Sequence, residues 1–301
     1  ISGNHDSAER LAFGGRLMAA RNVHLAPAFD AGHAKVAPVV LEDRHGPVCV
    51  WPLPFIKPAH VRAALPDAPA ATYTEAVRAA IGEMGVDPSL RNVLLCHKYV
   101  TGGLRRESEE TPVGGLDNVD ASAFEAFDYV ALGHLHRPQT AGRDTVRYCG
   151  SPLKYSFSEA KDEKSVTVVE LGAKGEVRVR TLPLTPAREL RELRGAYDEL
   201  TLLSNYRDTP REDYLHITLT DEEDVPDALS KLQVIYKNLL KLDYDNARTR
   251  RNRTVDAPQA AALRSPSQLL SEDRRRSVTR TLSAPGCVMF MDATALSTRP
   301  T

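Results

Sequence analysis

The chain has 301 residues, 42% hydrophobic and 26% charged, with net charge −1 and a pI of about 6.8. That length suggests one large domain plus something smaller, and the composition is that of a folded globular protein. Near-neutrality excludes a global basic field that draws in nucleic acid, so any such role needs local patches or a partner. The four cysteines, Cys49, Cys96, Cys149 and Cys287, show no CxxC spacing and read as free thiols rather than a disulfide framework or a zinc site. No run reaches the roughly 18 consecutive apolar residues of a membrane span, and no charged segment leads into an apolar core at the start. The expectation is a soluble, cytoplasmic protein.

In chain order, "SAERLAFGGRLMAA" carries Leu11, Phe13, Leu17 and Met18 near helical spacing, with Ser7 or Asp6 as the N-cap. "HAKVAPVVLEDRHGPVCVWPLPF" predicts two strands turning at "DRHG", and "TYTEAVRAAIGEMGV" predicts a helix ending near Gly85. "NVLLCHKYV" is a short apolar run typical of a strand buried on both faces. "ASAFEAF" reads as helical, "DYVALGHLH" as a buried strand entering a loop, and "SVTVVELGAKGEVRVRTLPL" as a hairpin turning at "GAKG". Strands alternating with helices, then hairpins, predict a layered α/β core with a mixed sheet. From about Pro186 the charged stretch "TPARELRELRGAYDELTLL" reads as a link, followed by strand, helix and short strand in "DYLHITLTD" and "VPDALSKLQVIYKNLLKLDYD". After Asn246 the chain turns basic and polar, and its last thirty or so residues have no clear period.

Four of the nine histidines fall at the ends of strand-like runs: His5 in "GNHD", His97 in "LLCHKY", and His134 with His136 in "GHLH". Loops leaving the carboxyl edge of an α/β sheet are where rigid strands present functional side chains. On an extended backbone, imidazoles two residues apart project to the same side. Neutral imidazole and an amide oxygen both ligate divalent metals, so Asn4, His97, His134 and His136 are candidates for a metal pair roughly 3.5–4 Å apart. His5, braced by Asp6, is the candidate general acid. Gly3 and Gly133 would allow close backbone approach. His24, His33, His45, His60 and His216 lie in no such setting and read as surface or structural.

"GNHD", a histidine after an apolar strand, and "GHLH", in that order, resemble the last three motifs of the calcineurin-like metallophosphoesterases. "YCGSPLKYSFSEAKDEKSV" and "GNHDSAERL" resemble, more narrowly, the SbcD family of bacterial nuclease subunits, over roughly residues 1–272. The resemblance implies a layered metallophosphoesterase-type mixed sheet flanked by helices in residues 1–186. It implies a small α+β capping domain in 187–246, a helical partner-binding segment in 247–272, and leaves 273–301 without a reading. It further implies that Asn4, His97 and His134 bind one Mn²⁺ and His136 the other, with Mg²⁺ as a substitute. His5, held by Asp6, then serves the leaving group while an activated water attacks a DNA phosphorus in line. The implied activity is exonuclease and endonuclease action on double-strand ends and hairpins in DNA repair, recombination and replication. The implied partner is the SbcC ATPase, with the subunit as a homodimer inside a heterotetramer. Leu263, Leu269 and Leu270 would form the apolar face that docks on SbcC, and Arg248, Arg250, Arg251 and Arg253 would contact phosphates if they are more than a solvated charged run.

In that family a D-x-H motif and a GD motif precede GNHD and complete the ligand set, and neither stands before Ile1 here. The expectation is therefore that this sequence starts inside a longer chain, that the first sheet edge lacks its partner strands, and that the polypeptide alone is nearly inactive. Two other readings stay open at this point. One is a phosphodiesterase for small phosphoesters on the same fold, which the second domain and "SPLKYSFSE" disfavour. The other is a non-catalytic fragment that keeps only partner-binding surfaces.

Overall fold

The computed structural model describes residues 1–13, 15–19, 21–30, 32, 35–104 and 117–252. They divide into two compact units: Ile1–Pro152 with Glu163–Leu184, and Leu153–Asp162 with the described residues from Thr185 onward.

In the first unit, helices α1 (Ala8–Ala12) and α2 (Gly15–Ala19) precede the sheet. Ser7 caps α1 by accepting from the Arg10 N–H. The helical spacing of apolar residues here does not bring burial: Phe13 is 88% exposed and Leu17 80%. α1 ends where Phe13 leaves helical geometry at ψ 122°.

Strands β1 (Val39–Asp43) and β2 (Gly46–Leu53) reverse at Asp43 to Gly46, where Gly46 adopts φ +93°, a left-handed conformation that an L side chain resists. Helices α3 (Pro58–Ala64) and α4 (Tyr73–Gly82) follow; a reciprocal Thr72–Glu75 capping box starts α4. β3 (Arg91–His97) then runs parallel to β2. A two-residue parallel pair, β4 (Tyr99–Val100) with β5 (Asn118–Val119), leads to β6 (Tyr129–Gly133), parallel to β3. β7 (Gln139–Ala141) and β8 (Arg143–Tyr148) complete a mixed six-stranded sheet of order β1-β2-β3-β6-β8-β7. Of the expected helix at "ASAFEAF", a single 3₁₀ turn, Ala121–Phe124, forms.

Strand alternation sends the sheet's side chains into two cores. Trp51, Leu53, Leu94, Cys96, Val130 and Leu132 pack with Val61, Val77 and Ala80 of the helices. Val48, Val50, Val93, Tyr129 and Ala131 face the other way, against Val169, Leu171 and Val177 of the hairpin β9 (Ser165–Leu171) and β10 (Val177–Pro183). Full burial of each such aliphatic side chain contributes roughly 1.5–3 kcal/mol. Burial on both faces is what makes "NVLLCH" a continuous apolar run. At the opposite end of β3 from His97, Arg91 is 3% exposed and donates through both terminal nitrogens to the Asp43 carboxylate, and to the carbonyls of Gly46 and Gly172. This pair fixes β3 to β1 and holds the Asp43 carboxyl down at about 2.

The second unit is a three-stranded parallel sheet, β11 (Leu190–Gly195), β12 (Tyr214–Leu219) and β13 (Leu239–Tyr244). Helices α5 (Tyr197–Thr201) and α6 (Leu203–Tyr206) connect its first two strands, α7 (Ala228–Ile235) the last two, and α8 (Ala247–Asn252) follows. Leu215, Ile217, Leu219, Leu232 and Leu239 form its core. Two sequence readings are corrected. "ELRELRG" is not a link but β11, whose Leu190 is buried and whose charged residues occupy the wetter positions. The arrangement is α/β rather than α+β, because a helix between consecutive strands returns the chain in the same direction. Among the described residues, no helix is long and apolar enough to cross a membrane.

Candidate metal centre

The loop "SGNHD" is closed by its own polar groups. The Asp6 carboxylate accepts from the Gly3 N–H at 2.7 Å, and the Asp6 N–H donates back to the Gly3 carbonyl at 3.3 Å. The Asp6 carboxylate, expected to brace His5, thus also shapes the loop backbone. The loop is tied to the chain after β2 by the Phe55 N–H, which donates to the Ser2 carbonyl at 3.0 Å.

His97 is the last residue of β3 and 5% exposed. Its Nε2 lies 2.9 Å from Asn4 Oδ1, and His134 Nδ1 lies 3.4 Å from the same oxygen. The His97 and His134 rings are edge to face with centroids 5.3 Å apart, and Phe55 meets His97 edge-on at 6.1 Å. Gly3 is required by this packing, since a Cβ there would fall 2.8 Å from His97 Cε1. Burial pushes the His97 imidazole down to about 3, and the neighbouring His134, Lys98, His5 and His136 add to the effect. His97 is therefore neutral near pH 7, with a ring nitrogen lone pair to offer.

The structure thus joins Asn4, His97 and His134, and brings His5 and His136 within electrostatic reach of His97. His5 itself is exposed. The premise for "GHLH" is corrected: β6 ends at Gly133, and His134 has φ +104°, so the two histidines do not share an extended backbone. Among the described residues, no three His, Cys, Asp or Glu side chains gather as a metal cage. What does gather, one amide oxygen and two imidazoles, is an N/O donor set of the kind that can hold a divalent metal.

Sequence reasoning missed two supports. Lys98, 1% exposed, donates to the Ile56 carbonyl and lies 4.2 Å from the Phe55 ring centre and 4.8 Å from that of Tyr73. Burial pushes its ammonium down to about 7. A lysine directly after a strand-end histidine in an apolar run was the available signal. Tyr148, fully buried, donates to the Lys98 carbonyl and accepts from the Val100 N–H, both at 2.7 Å, so β8 holds the chain just past His97.

In the second unit, Arg248 donates to both oxygens of Asp224 at 2.8 Å, and Arg250 pairs with Asp245 at 2.9 Å. Both cations already face carboxylates of their own unit. Arg251 is placed by its backbone in α8, whereas Arg253, Leu263, Leu269 and Leu270 lie outside the described residues.

Residues 186–273 match the family model described as the type 5 capsule protein repressor C-terminal domain. Over 245 residues the chain is 31% identical to the SbcD subunit of the SbcCD nuclease of Staphylococcus epidermidis, an alignment covering 80% of this chain and 63% of that protein. The same values, 31%, 80% and 63%, hold over 250 residues of the SbcD subunit of Staphylococcus saprophyticus. The chain therefore spans somewhat less than two thirds of the length of these relatives. A GNHD loop that meets strand-end histidines at one point goes with these matches, and over 80% of its length the chain is similar to the SbcD subunits.

Proposed function

We propose that this chain is part of a metal-dependent DNA nuclease subunit that hydrolyses phosphodiester bonds at double-strand ends and hairpins, as exonuclease and endonuclease, with an SbcC-type ATPase. One observation carries the reading: Asn4 Oδ1 faces ring nitrogens of both His97 and His134, residues 93 and 130 positions away in the sequence. The similarity to proteins named as a subunit of the SbcCD nuclease supports the substrate and partner.

In this reading Asn4, His97 and His134 hold one Mn²⁺, with Mg²⁺ able to replace it, and His136 serves a second. The metals supply a lowered pKa for the attacking water and counter-charge for the phosphoryl oxygens. The chain's own residues do the rest. Burial keeps His97 unprotonated, so it offers a lone pair rather than a competing charge. Gly3 leaves room for that imidazole, and the Asp6–Gly3 bond keeps Asn4 turned toward it. His5, exposed in the same loop, is the general acid of this reading and gives a proton to the leaving oxygen. Residues 187–246 act as a capping domain over DNA, and residues 247–272 as the segment that docks on the ATPase. The subunit works in the cytoplasm as a homodimer within a heterotetramer.

The test is Mn²⁺-dependent cleavage of a hairpin DNA by this chain in its complete gene context, with and without the ATPase. His97→Ala and His134→Ala should each abolish cleavage and lower Mn²⁺ binding while thermal unfolding stays cooperative. Cleavage that survives both substitutions would falsify the assignment. Cleavage of small phosphodiesters with no action on DNA would favour the small-substrate reading.

A further inference from the structure

Part of the segment "YCGSPLKYSFSEAKDEK" packs against the loop that carries His134 and His136. Lys164 is 4% exposed, and its Nζ donates to the His136 carbonyl at 2.8 Å and to Ser151 Oγ at 3.0 Å. Ser151, also 4% exposed, donates to the same carbonyl through its N–H at 3.0 Å and its hydroxyl at 3.4 Å. Gly150 makes this approach possible: it adopts φ +77°, and a Cβ there would lie 2.8 Å from the His136 carbonyl oxygen. One backbone oxygen is thus gripped by an ammonium, an amide and a hydroxyl.

That grip lies two residues past a strained one. His134 holds φ +104°, a region that L side chains rarely occupy. Such a conformation persists only where surrounding structure over-determines it. It is also the conformation that turns the His134 ring toward Asn4 and His97. A buried ammonium in turn needs acceptors, and the His136 carbonyl and Ser151 hydroxyl are among those it has.

We infer that Lys164, with Ser151 and Gly150, is a positioning device that holds the His134–His136 turn in its strained form and so presents both imidazoles to the metal site. Its role as a lock stands on the hydrogen bonds alone; its consequence for metal binding rests on the proposed nuclease function.

The experiment uses the full chain and Lys164→Met, which keeps the apolar stem and removes the donor. Backbone resonances and amide exchange are followed by NMR. The Ser151 amide should exchange about tenfold faster or more, and the His134 and His136 resonances should move, while amides of β2 stay unchanged. If every amide of the first unit accelerates alike, or if none does, the inference is wrong. Should Lys164→Met not fold, Ser151→Ala removes only the hydroxyl, and the same shifts at His134 and His136 are required of it. Mn²⁺ is then titrated and read as paramagnetic broadening of the His134 signals. Lys164→Met should raise the midpoint roughly 10- to 100-fold, as loss of an outer support does at metal sites. An unchanged midpoint overturns the inferred consequence for the metal. If the unsubstituted chain shows no broadening at all, the metal reading fails, and the exchange comparison still decides whether the lock exists.

Discussion

Asn4 and His97 are 93 residues apart in the sequence, and 2.9 Å separates the amide oxygen of one from the imidazole nitrogen of the other. The contact exists because Gly3 has no side chain: the nearest atom to a Cβ built there is His97 Cε1, at 2.8 Å, well inside contact distance. In Gly3→Ala the imidazole must shift or the loop must lift. Stability should fall by about 1–3 kcal/mol, as overpacking does, and Mn²⁺ binding should weaken by about tenfold, since outer-support losses have that scale. Calorimetric titration beside thermal unfolding separates the two effects. An unaltered Mn²⁺ midpoint in a folded Gly3→Ala protein would remove Gly3 from the site.

The Arg91–Asp43 pair should make the protein acid-sensitive over a narrow window. In the folded state the Asp43 carboxyl titrates at about 2, against an ordinary value of 3.8, chiefly because the Arg91 guanidinium donates to it. The unfolded chain therefore takes up the proton first as pH falls. The contribution is complete above about pH 4 and is lost between 3.8 and about 2. It amounts to about 2 kcal/mol, and urea unfolding at pH 5, 3 and 2 should show it. Asp43→Asn should flatten that part of the profile; a variant with the same acid slope as the original would locate the titration elsewhere. Asp43→Ala leaves Arg91 buried beside two carbonyls and should cost about 3 kcal/mol.

Tyr148 offers a test of how the end of β3 is held. Its hydroxyl donates to the Lys98 carbonyl and accepts the Val100 N–H. Tyr148→Phe keeps the ring in its buried place and strands both backbone groups away from water. Each orphan costs about 1–3 kcal/mol, so a loss of about 2–6 kcal/mol in total is expected. A loss under about 0.5 kcal/mol would mean that water or a rearranged chain satisfies them.

In the second unit Leu232, fully buried on α7, packs in the core with Leu215, Ile217 and Leu219 of β12. Leu232→Ala should destabilise that unit by about 2–5 kcal/mol, the spread reflecting how far the cavity collapses. Amide exchange in β12 is the direct readout, and β12 protection equal to that of the unsubstituted protein would contradict this core assignment.

Much of the candidate site was legible in the sequence because its donors sit in short motifs whose chemistry is local. "GNHD" and "GHLH" announce imidazole and amide donors beside glycines, and "LLCHKY" announces a histidine at the end of a buried strand. The apolar run of β3, the helix in "TYTEAVRAAIG", and the turns at Gly46 and Gly175 follow from period, propensity and φ, all properties of neighbours in the chain. Three things did not follow. The strand in "ELRELRG" was hidden by its charges, because half of a sheet's edge residues face water and only Leu190 and its parallel partners on β12 reveal the other half. The exposure of Phe13 and Leu17 could not be read from helical spacing, which says which residues share a face and nothing about whether anything covers it. The strained φ of His134, and the buried amine of Lys164 against the loop that carries His134 and His136, could not be read either. A lysine looks solvated in any sequence; only the packing of distant segments decides that its ammonium has left water for a carbonyl. Which donors are present is a matter of residue type and local motif; that Asn4, His97 and His134 meet at one point is a matter of folding, because convergence over 93 and 130 residues is set by sheet order and loop packing and not by any local rule.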